Sequence, residues 1–449
     1  MKISFYGGSQ EVTGSCFLFD SGKTKILIDC GLFQCPRFCD LRSRDPFPFD
    51  PKDIKALFVT HAHIDHTGRI PKLVKEGFSG TIYSTPPTKE LAMLMLEDSL
   101  GVLEKESRHH GEDLMFGQED IVSAFKIWQG VEYHKTIEIG DLKIRLLDSG
   151  HILGSSMIEI NYRGKKIVFT GDLGNPPTPL LNDPEEIRDA SVLLVESTYG
   201  NRTHDDKKER KLRLERIIED TIHANGVLMV PAFSLERTQD ILYEINELVE
   251  NKTIEPVPVF IDSPLATKVT EIYKRNTKEF KESAKELVSS GDDPFDFPKL
   301  KFTVSRNESE RAMHHANPKI IIAGSGMSVG GRVLQYESKY LPDKNATILL
   351  VGYQSVGSLG RKLLDGAKKV VIFDQEVSVC ADIQIITGYS SHKDSDHLIE
   401  FVEKTASTVK KVFVAMGEPK ASMFLVQRLR DYLGVDAVYP KLNETVELI

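Results

Sequence analysis

The chain has 449 residues, 40% hydrophobic and 27% charged, which describes a globular protein too long for one ordinary domain. Its net charge of −9 excludes a protein coated in basic charge, and five cysteines, an odd and sparse set, exclude a disulfide framework and fit a reducing cytosol. The N-terminus MKISFYGGSQEVTG has no apolar stretch of signal-peptide length, and IIIAG and ILLVG are too short to span a bilayer, so no membrane partner and a cytoplasmic location are expected.

The first 200 residues read as short strands with interspersed helices. KISFYGG, SCFLFD, TKILIDCG, KALFVTH and TIYST are separated by Gly, Asp and Pro turns. A helix follows over 88–106. Strands resume at IEIGDLKIRLLD, at SSMIEINYRGKKIVFTG, where NYRGKK reads as a hairpin turn, and at SVLLVESTYG. Cys16, Cys30, Cys35, Cys39 and Cys380 form no CxxC pair and read as free thiols rather than a zinc knuckle.

From about residue 205 the texture changes. The charged helix DKKERKLRLERIIEDTIHA stops at Asn225-Gly226. Strands VLMVPAF, VPVFID, IIIAG and TILLVGY then alternate with helices, which predicts a parallel, helix-covered sheet. SSGDDPFDFPKL reads as a loop. Residues 203–370 carry 26 Lys and Arg against 25 Asp and Glu, leaving the excess negative charge to the rest of the chain. After about 370, KKVVIF, ADIQIITG and KKVFVAMG read as a return to βα units, with helices over 394–405 and 421–432.

The densest chemistry lies in THAHIDHTG. Imidazoles and carboxylates are the usual ligands of hydrolytic zinc. His61 and His63 are two apart, so in an extended loop they point the same way; Asp65 and His66 follow as the chain turns into a helix and face the other side of one cavity. One loop can thus serve two neighbouring metals. His151 in LLDSGHILGS, Asp172 in IVFTGDLG and Asp29 in TKILIDCG each follow an apolar strand, where sites on such sheets collect. Asp29 is suited to orient a ligand from behind. His109, His110, His314 and His315 have flanks without ligand geometry and read as surface or structural groups. AGSGMSVGGR follows a strand and precedes a helix; its backbone amides, with Ser325, Ser328, Gly330, Gly331 and Arg332, suit an anion, and Arg237 in SLERTQ has a similar candidate role.

Asp29, HAHIDH, His151 and Asp172 together resemble the metallo-β-lactamase superfamily. VESTYG, PAFSLERTQ, DSPLA, AGSGMSVGGR, SSHKD and AMGEPKAS resemble, in order and over nearly the whole chain, the motifs of the β-CASP ribonucleases, a family that includes the endonuclease subunit of the cleavage and polyadenylation specificity factor and bacterial and archaeal homologues. The resemblance implies an α/β protein: an αββα sandwich from residues 1–202 and 371–449, with a β-CASP domain inserted at 203–370 and RNA lying in a cleft between the two. It implies two zinc ions, the first on His61, His63 and His151, the second on Asp65 and His66, with Asp172 shared. Asp65, Glu196 and His392 become the catalytic candidates, His392 as the acid that protonates a departing 3′-oxygen. Two neighbouring cations acidify the water between them and neutralise charge building on phosphorus.

One motif departs from the family pattern. Relatives carry His-Gly-Glu after the last strand, with that histidine on the second metal; this chain has Met416-Gly417-Glu418. A thioether is a soft, neutral donor, poorly matched to a hard hydrolytic cation. The second position is therefore expected to be weak or to take another divalent metal such as Mn2+. Two alternatives stay open: a catalytically weakened RNA-binding relative, and a small-ester or thioester hydrolase on the same core. RNA is the expected partner, and a homodimer or a processing complex is compatible with the resemblance.

Overall fold

The computed structural model describes residues 1–34, 38–204, 207–352, 354–355 and 357–448. Cys35, Asp206 at the start of the charged helix, and Tyr353 at the end of TILLVGY lie outside these. Among the described residues Cys16, Cys30, Cys39 and Cys380 are free thiols, and no helix is long and apolar enough to cross a membrane.

The chain divides into two compact units. The first comprises Met1–Pro176, Asn182–Thr203 and Ser391–Ile449; the second comprises Pro177–Leu181 and His204–Ser390.

The first unit contains two seven-stranded sheets. One runs in the order Thr445–Glu447, Lys2–Phe5, Phe17–Asp20, Lys25–Ile28, Ala56–Phe58, Thr81–Ser84, Trp128–Gly130. The other runs Ala437–Val438, Lys411–Ala415, Val192–Glu196, Lys165–Phe169, Ser156–Tyr162, Leu142–Asp148, Ile137–Ile139. Alternation along each strand decides which face a side chain joins. Ile26 and Ile28 of the first sheet meet Ile158, Ile160, Ile167 and Phe169 of the second in one apolar core, whereas Leu27 is buried on the opposite face. The outer face of the second sheet offers Leu193, Val195, Val412 and Val414 to Leu398 and Val402 of helix Ser395–Glu403 and to Leu425 and Leu429 of helix Pro419–Leu433. Helices Ile70–Lys75, Pro86–His110 and Gln118–Lys126 bury Leu73, Leu91, Leu96 and Ile121 on the first sheet's side. This is the expected helix–sheet–sheet–helix layering. The expected hairpin turn is also present: Tyr162 pairs with Lys165, and Arg163 and Gly164 both have positive φ, the backbone of a tight two-residue turn.

The second unit has a six-stranded sheet in the order Leu300–Phe302, Val259–Asp262, Lys319–Ala323, Val227–Pro231, Ala346–Leu350, Asp382–Ile385, with every pairing parallel. The short strand Leu300–Phe302 begins at the last residue of the expected loop. One side of the sheet packs Val227, Met229, Ile321 and Ile348 against Val333, Tyr336 and Tyr340 of helix Val333–Tyr340.

The sequence boundary at 370 is corrected here. Residues 371–390 belong to the second unit. Lys369–Ile372 makes a hairpin with Gln375–Ser378, and Asp382–Ile385 continues the parallel sheet by pairing with Ala346–Leu350. Backbone pairing to a strand 35 residues upstream outweighs nearness in sequence to the last βα unit.

Strand direction positions the site. In the second sheet Leu142–Asp148, Lys165–Phe169, Val192–Glu196 and Lys411–Ala415 all point the same way, so their carboxyl ends share one edge. His151, Asp172, Glu196 and Met416 lie at or just past those ends.

Candidate metal centre

The strand Ala56–Phe58 delivers the loop that carries His61 and His63, and the short helix Ile64–Thr67, capped by His63, carries Asp65 and His66. Four atoms face one another. His61 Nε2 is 3.1 Å from His63 Nδ1, which is 3.3 Å from His151 Nε2, and Asp172 Oδ2 lies 3.5 Å from both His61 Nε2 and His151 Nε2. Zinc held tetrahedrally by imidazole sets its donor atoms about 3.3 Å apart, so this set fits such an ion.

Hydrogen bonds behind the ligands fix which nitrogen is bare. Thr60 Oγ1 donates to Asp29 Oδ2 at 2.9 Å, so it accepts from His61 Nδ1 at 3.0 Å, and His61 Nε2 is left with its lone pair. The Ser391 carbonyl accepts from His151 Nδ1 at 3.3 Å, which frees His151 Nε2 in the same way. Burial, with His66, His151 and His63 around it, holds the His61 imidazole well below its usual pKa and therefore neutral, the form a metal needs.

Asp65 and His66 border the same carboxylate. His66 Nε2 is 3.6 Å from Asp172 Oδ2 and 4.0 Å from Asp65 Oδ2, and it is buried without a hydrogen-bond partner among the described residues. Its Nδ1 donates to Asp29 Oδ2 at 2.7 Å. Burial alone would depress this imidazole, but Asp172, Asp29 and Asp65 outweigh it and lift it to about 10. Burial pushes the Asp172 carboxyl up to about 7, against the pull of His66 and His392. A carboxylate so placed has strong demand for a cation. Met416 is buried at the tip of its strand with φ of 51°, and its Sδ lies 3.8 Å from Ser15 Oγ.

Beside this centre His392 Nδ1 lies 3.1 and 3.2 Å from the two Glu196 oxygens and 3.9 Å from Asp172 Oδ2. Glu196 is fully buried and also accepts the Leu173 amide at 2.7 Å, which locks its orientation. Burial opposes the charge on His392, yet Glu196 and Asp172 raise it to about 9. The pair holds a proton next to the four-donor cluster.

The glycine-rich segment has a different character. Arg332 pairs with the buried carboxylate Asp262 and donates to the carbonyls of Thr303 and Val304. Ser328 Oγ donates to Glu337, and Arg237 pairs with Asp240 at 2.6 Å. These three side chains are committed inside their own unit. Ser325 Oγ accepts the Val329 amide at 3.1 Å. A Cβ on Gly331 would lie 2.7 Å from the Gly324 carbonyl oxygen, and its φ is +81°, so glycine is needed there for shape. Gly330 has open space around it. The paired histidines are surface groups: His109, His110, His314 and His315 are all exposed.

Sequence reasoning missed Thr60 and Ser15. Thr60 lies between Asp29, His61 and His66; Ser15 donates to Asp29 at 3.1 Å. The only signal for Thr60 was a hydroxyl directly before HAHIDH.

Residues 10–218 match the metallo-beta-lactamase superfamily, and residues 238–363 match the Beta-Casp domain. The chain is 34% identical over 404 residues to ribonuclease TTHA0252 of Thermus thermophilus, covering 90% of this chain and 91% of that protein. It is 30% identical over 445 residues to transcription termination factor FttA of Methanocaldococcus jannaschii, covering 96% and 69% respectively. It is 28% identical over 467 residues to FttA of Methanosarcina mazei, covering all of this chain and 72% of the relative. A crystal structure of a protein of unknown function from Enterococcus faecalis V583 shares the fold, with a TM-score of 0.57 at 15% identity over 100% of this chain and 99% of that one.

Proposed function

Since this chain belongs to the metallo-β-lactamase superfamily and to its β-CASP ribonucleases, we propose that it is a metal-dependent ribonuclease acting in RNA processing or decay. The observation that carries the reading is the convergence of His61, His63, His151 and Asp172 beside the His392–Glu196 pair. In this reading Asp65 and His66 border a second cation position, and zinc is the natural ion for the nitrogen-rich one. When bound, divalent cations there would acidify a water and neutralise charge on a phosphodiester.

The chain's own residues supply the rest. Asp29 and Thr60 keep the ligand imidazoles in one tautomer. Glu196 receives the His392 Nδ1 proton, so Nε2 is the atom that delivers a proton to the oxygen leaving phosphorus. The buried carboxylate keeps His392 protonated at neutral pH, as an acid must be. RNA is the substrate this proposal assigns, and the cytoplasm is where the chain would meet it.

The test is end-labelled RNA, carrying a 5′-phosphate or a 5′-triphosphate, incubated with zinc or manganese, with products read by length. Cleavage that a chelator abolishes is expected. A second reading, an RNA-binding relative with weakened catalysis, draws on Met416 alone; metal and RNA both bound without cleavage under any condition would favour it and overturn the enzyme.

A further inference from the structure

We propose that the two cation positions are unequal. His61, His63, His151 and Asp172 hold one divalent ion tightly, whereas the position beside Asp65 and His66 is a weak, oxygen-rich one that takes a hard cation such as Mn2+ and releases it readily. The inference rests on the metal-dependent reading above.

The first position is complete within the protein. Three imidazole nitrogens and one carboxylate oxygen lie within 4.8 Å of one another, with four of their separations at 3.1–3.5 Å, and His61, His151 and Asp172 are all buried. Four such donors are enough to hold a zinc-type ion tightly.

The second position is not complete. It has one nitrogen, His66 Nε2, and two carboxylates, one of which is Asp172, already used by the first ion. Its donor separations are 3.6 and 4.0 Å. The Asp65 side chain is one-fifth exposed, so water reaches this side. Oxygen donors with water filling the shell suit Mn2+ or Mg2+ better than zinc.

Met416 accounts for the shortfall. It directly follows the strand Lys411–Ala415, at the same edge as Asp172 and Glu196. Its Sδ lies 3.8 Å from Ser15 Oγ, which bonds Asp29, which bonds His66. The side chain thus reaches the network behind the second position but offers only a neutral thioether. Its backbone is left-handed, a region where histidine and asparagine are enriched and methionine is not. The backbone would accept a nitrogen donor there without rearrangement.

The experiment measures bound metal in the absence of RNA. The full chain is loaded with zinc and then manganese, dialysed against a weak chelator, and analysed by elemental mass spectrometry, with free Mn2+ followed by paramagnetic resonance. Wild type should keep about one zinc per chain and take up manganese only while it is in excess. Met416→His should keep two ions, with the second bound about ten-fold tighter or more. His66→Ala should keep the single tight ion. Two ions retained by wild type, or loss of the tight ion in His66→Ala, would overturn the inequality; a single ion in folded Met416→His would overturn the part given to Met416. No ion retained by wild type under any loading would instead defeat the metal-dependent reading itself.

Discussion

Asp29 Oδ2 lies 2.7 Å from His66 Nδ1, and both groups are almost fully buried. Asp29 sits just past the strand Lys25–Ile28 with φ of 59°, so a left-handed kink aims its carboxylate across the loop. The same carboxylate takes the Thr60 amide and hydroxyl and the Ser15 hydroxyl. One acidic residue therefore organises both halves of HAHIDH from behind.

Asp29→Asn tests that role. An amide cannot accept all of these bonds, and it removes the charge that fixes the His66 tautomer. Metal affinity at the position beside His66 should fall about 10- to 100-fold. Zinc and manganese titrations measured on the folded protein check it, and unchanged affinity would sink the idea that Asp29 orients His66.

Glu196→Gln tests the proton on His392. Glu196 and Asp172 hold this imidazole above its ordinary pKa. Loss of the Glu196 charge moves the His392 pKa down, so the alkaline limb of the cleavage profile should shift to lower pH. His392→Ala should lower the rate about 10²- to 10⁴-fold while bound metal stays at the wild-type level. A pH–rate profile with elemental analysis decides it; a Glu196→Gln profile that superimposes on wild type would remove the pair from proton transfer.

Arg332→Ala tests which way the guanidinium works. Asp262 is buried and also accepts Thr303 and Tyr336 hydroxyls at 2.6 Å each. Without Arg332 that carboxylate loses its only cationic partner among the described residues, at a cost of about 3 kcal/mol. Thermal unfolding should show the loss. An unchanged melting temperature with weakened RNA binding would show instead that the side chain serves the phosphate backbone.

Arg332 also marks where sequence reading stops. GSGMSVGGR announces a tight strand-to-helix turn, and Gly331 confirms the shape, but nothing local reveals a carboxylate 70 positions upstream. HAHIDH was legible because its donors sit within six positions, and His151, Asp172 and Asp29 because each ends an apolar strand. Thr60 and Ser15 were not, since loop hydroxyls are common and acquire meaning only from the carboxylate they meet. Strand texture gave the individual strands, and the αββα layering came from the resemblance carried by the motifs. The boundary near 370 did not, because Asp382–Ile385 reads the same whichever sheet it joins, and long-range pairing with Ala346–Leu350 decides.

Glu337 supplies a pH dependence independent of metal. It lies in helix Val333–Tyr340, fully buried; Ser328 donates to one oxygen at 2.5 Å and the other has no hydrogen-bond partner among the described residues. Burial raises this carboxyl from 4.5 to about 7 against the Ser328 bond. A carboxyl that ionises higher in the fold than in the unfolded chain stabilises the fold fully below pH 4.5, and that contribution is lost as pH rises through 7. The loss amounts to about 3 kcal/mol by pH 8. Glu337→Gln keeps the shape and cannot ionise. Its melting temperature should exceed that of wild type at pH 8 by a few degrees, and the two should converge near pH 5. Parallel curves across that range, measured in the presence of a metal chelator, would mean that Glu337 is already ionised in the fold at neutral pH with a partner that relieves its burial.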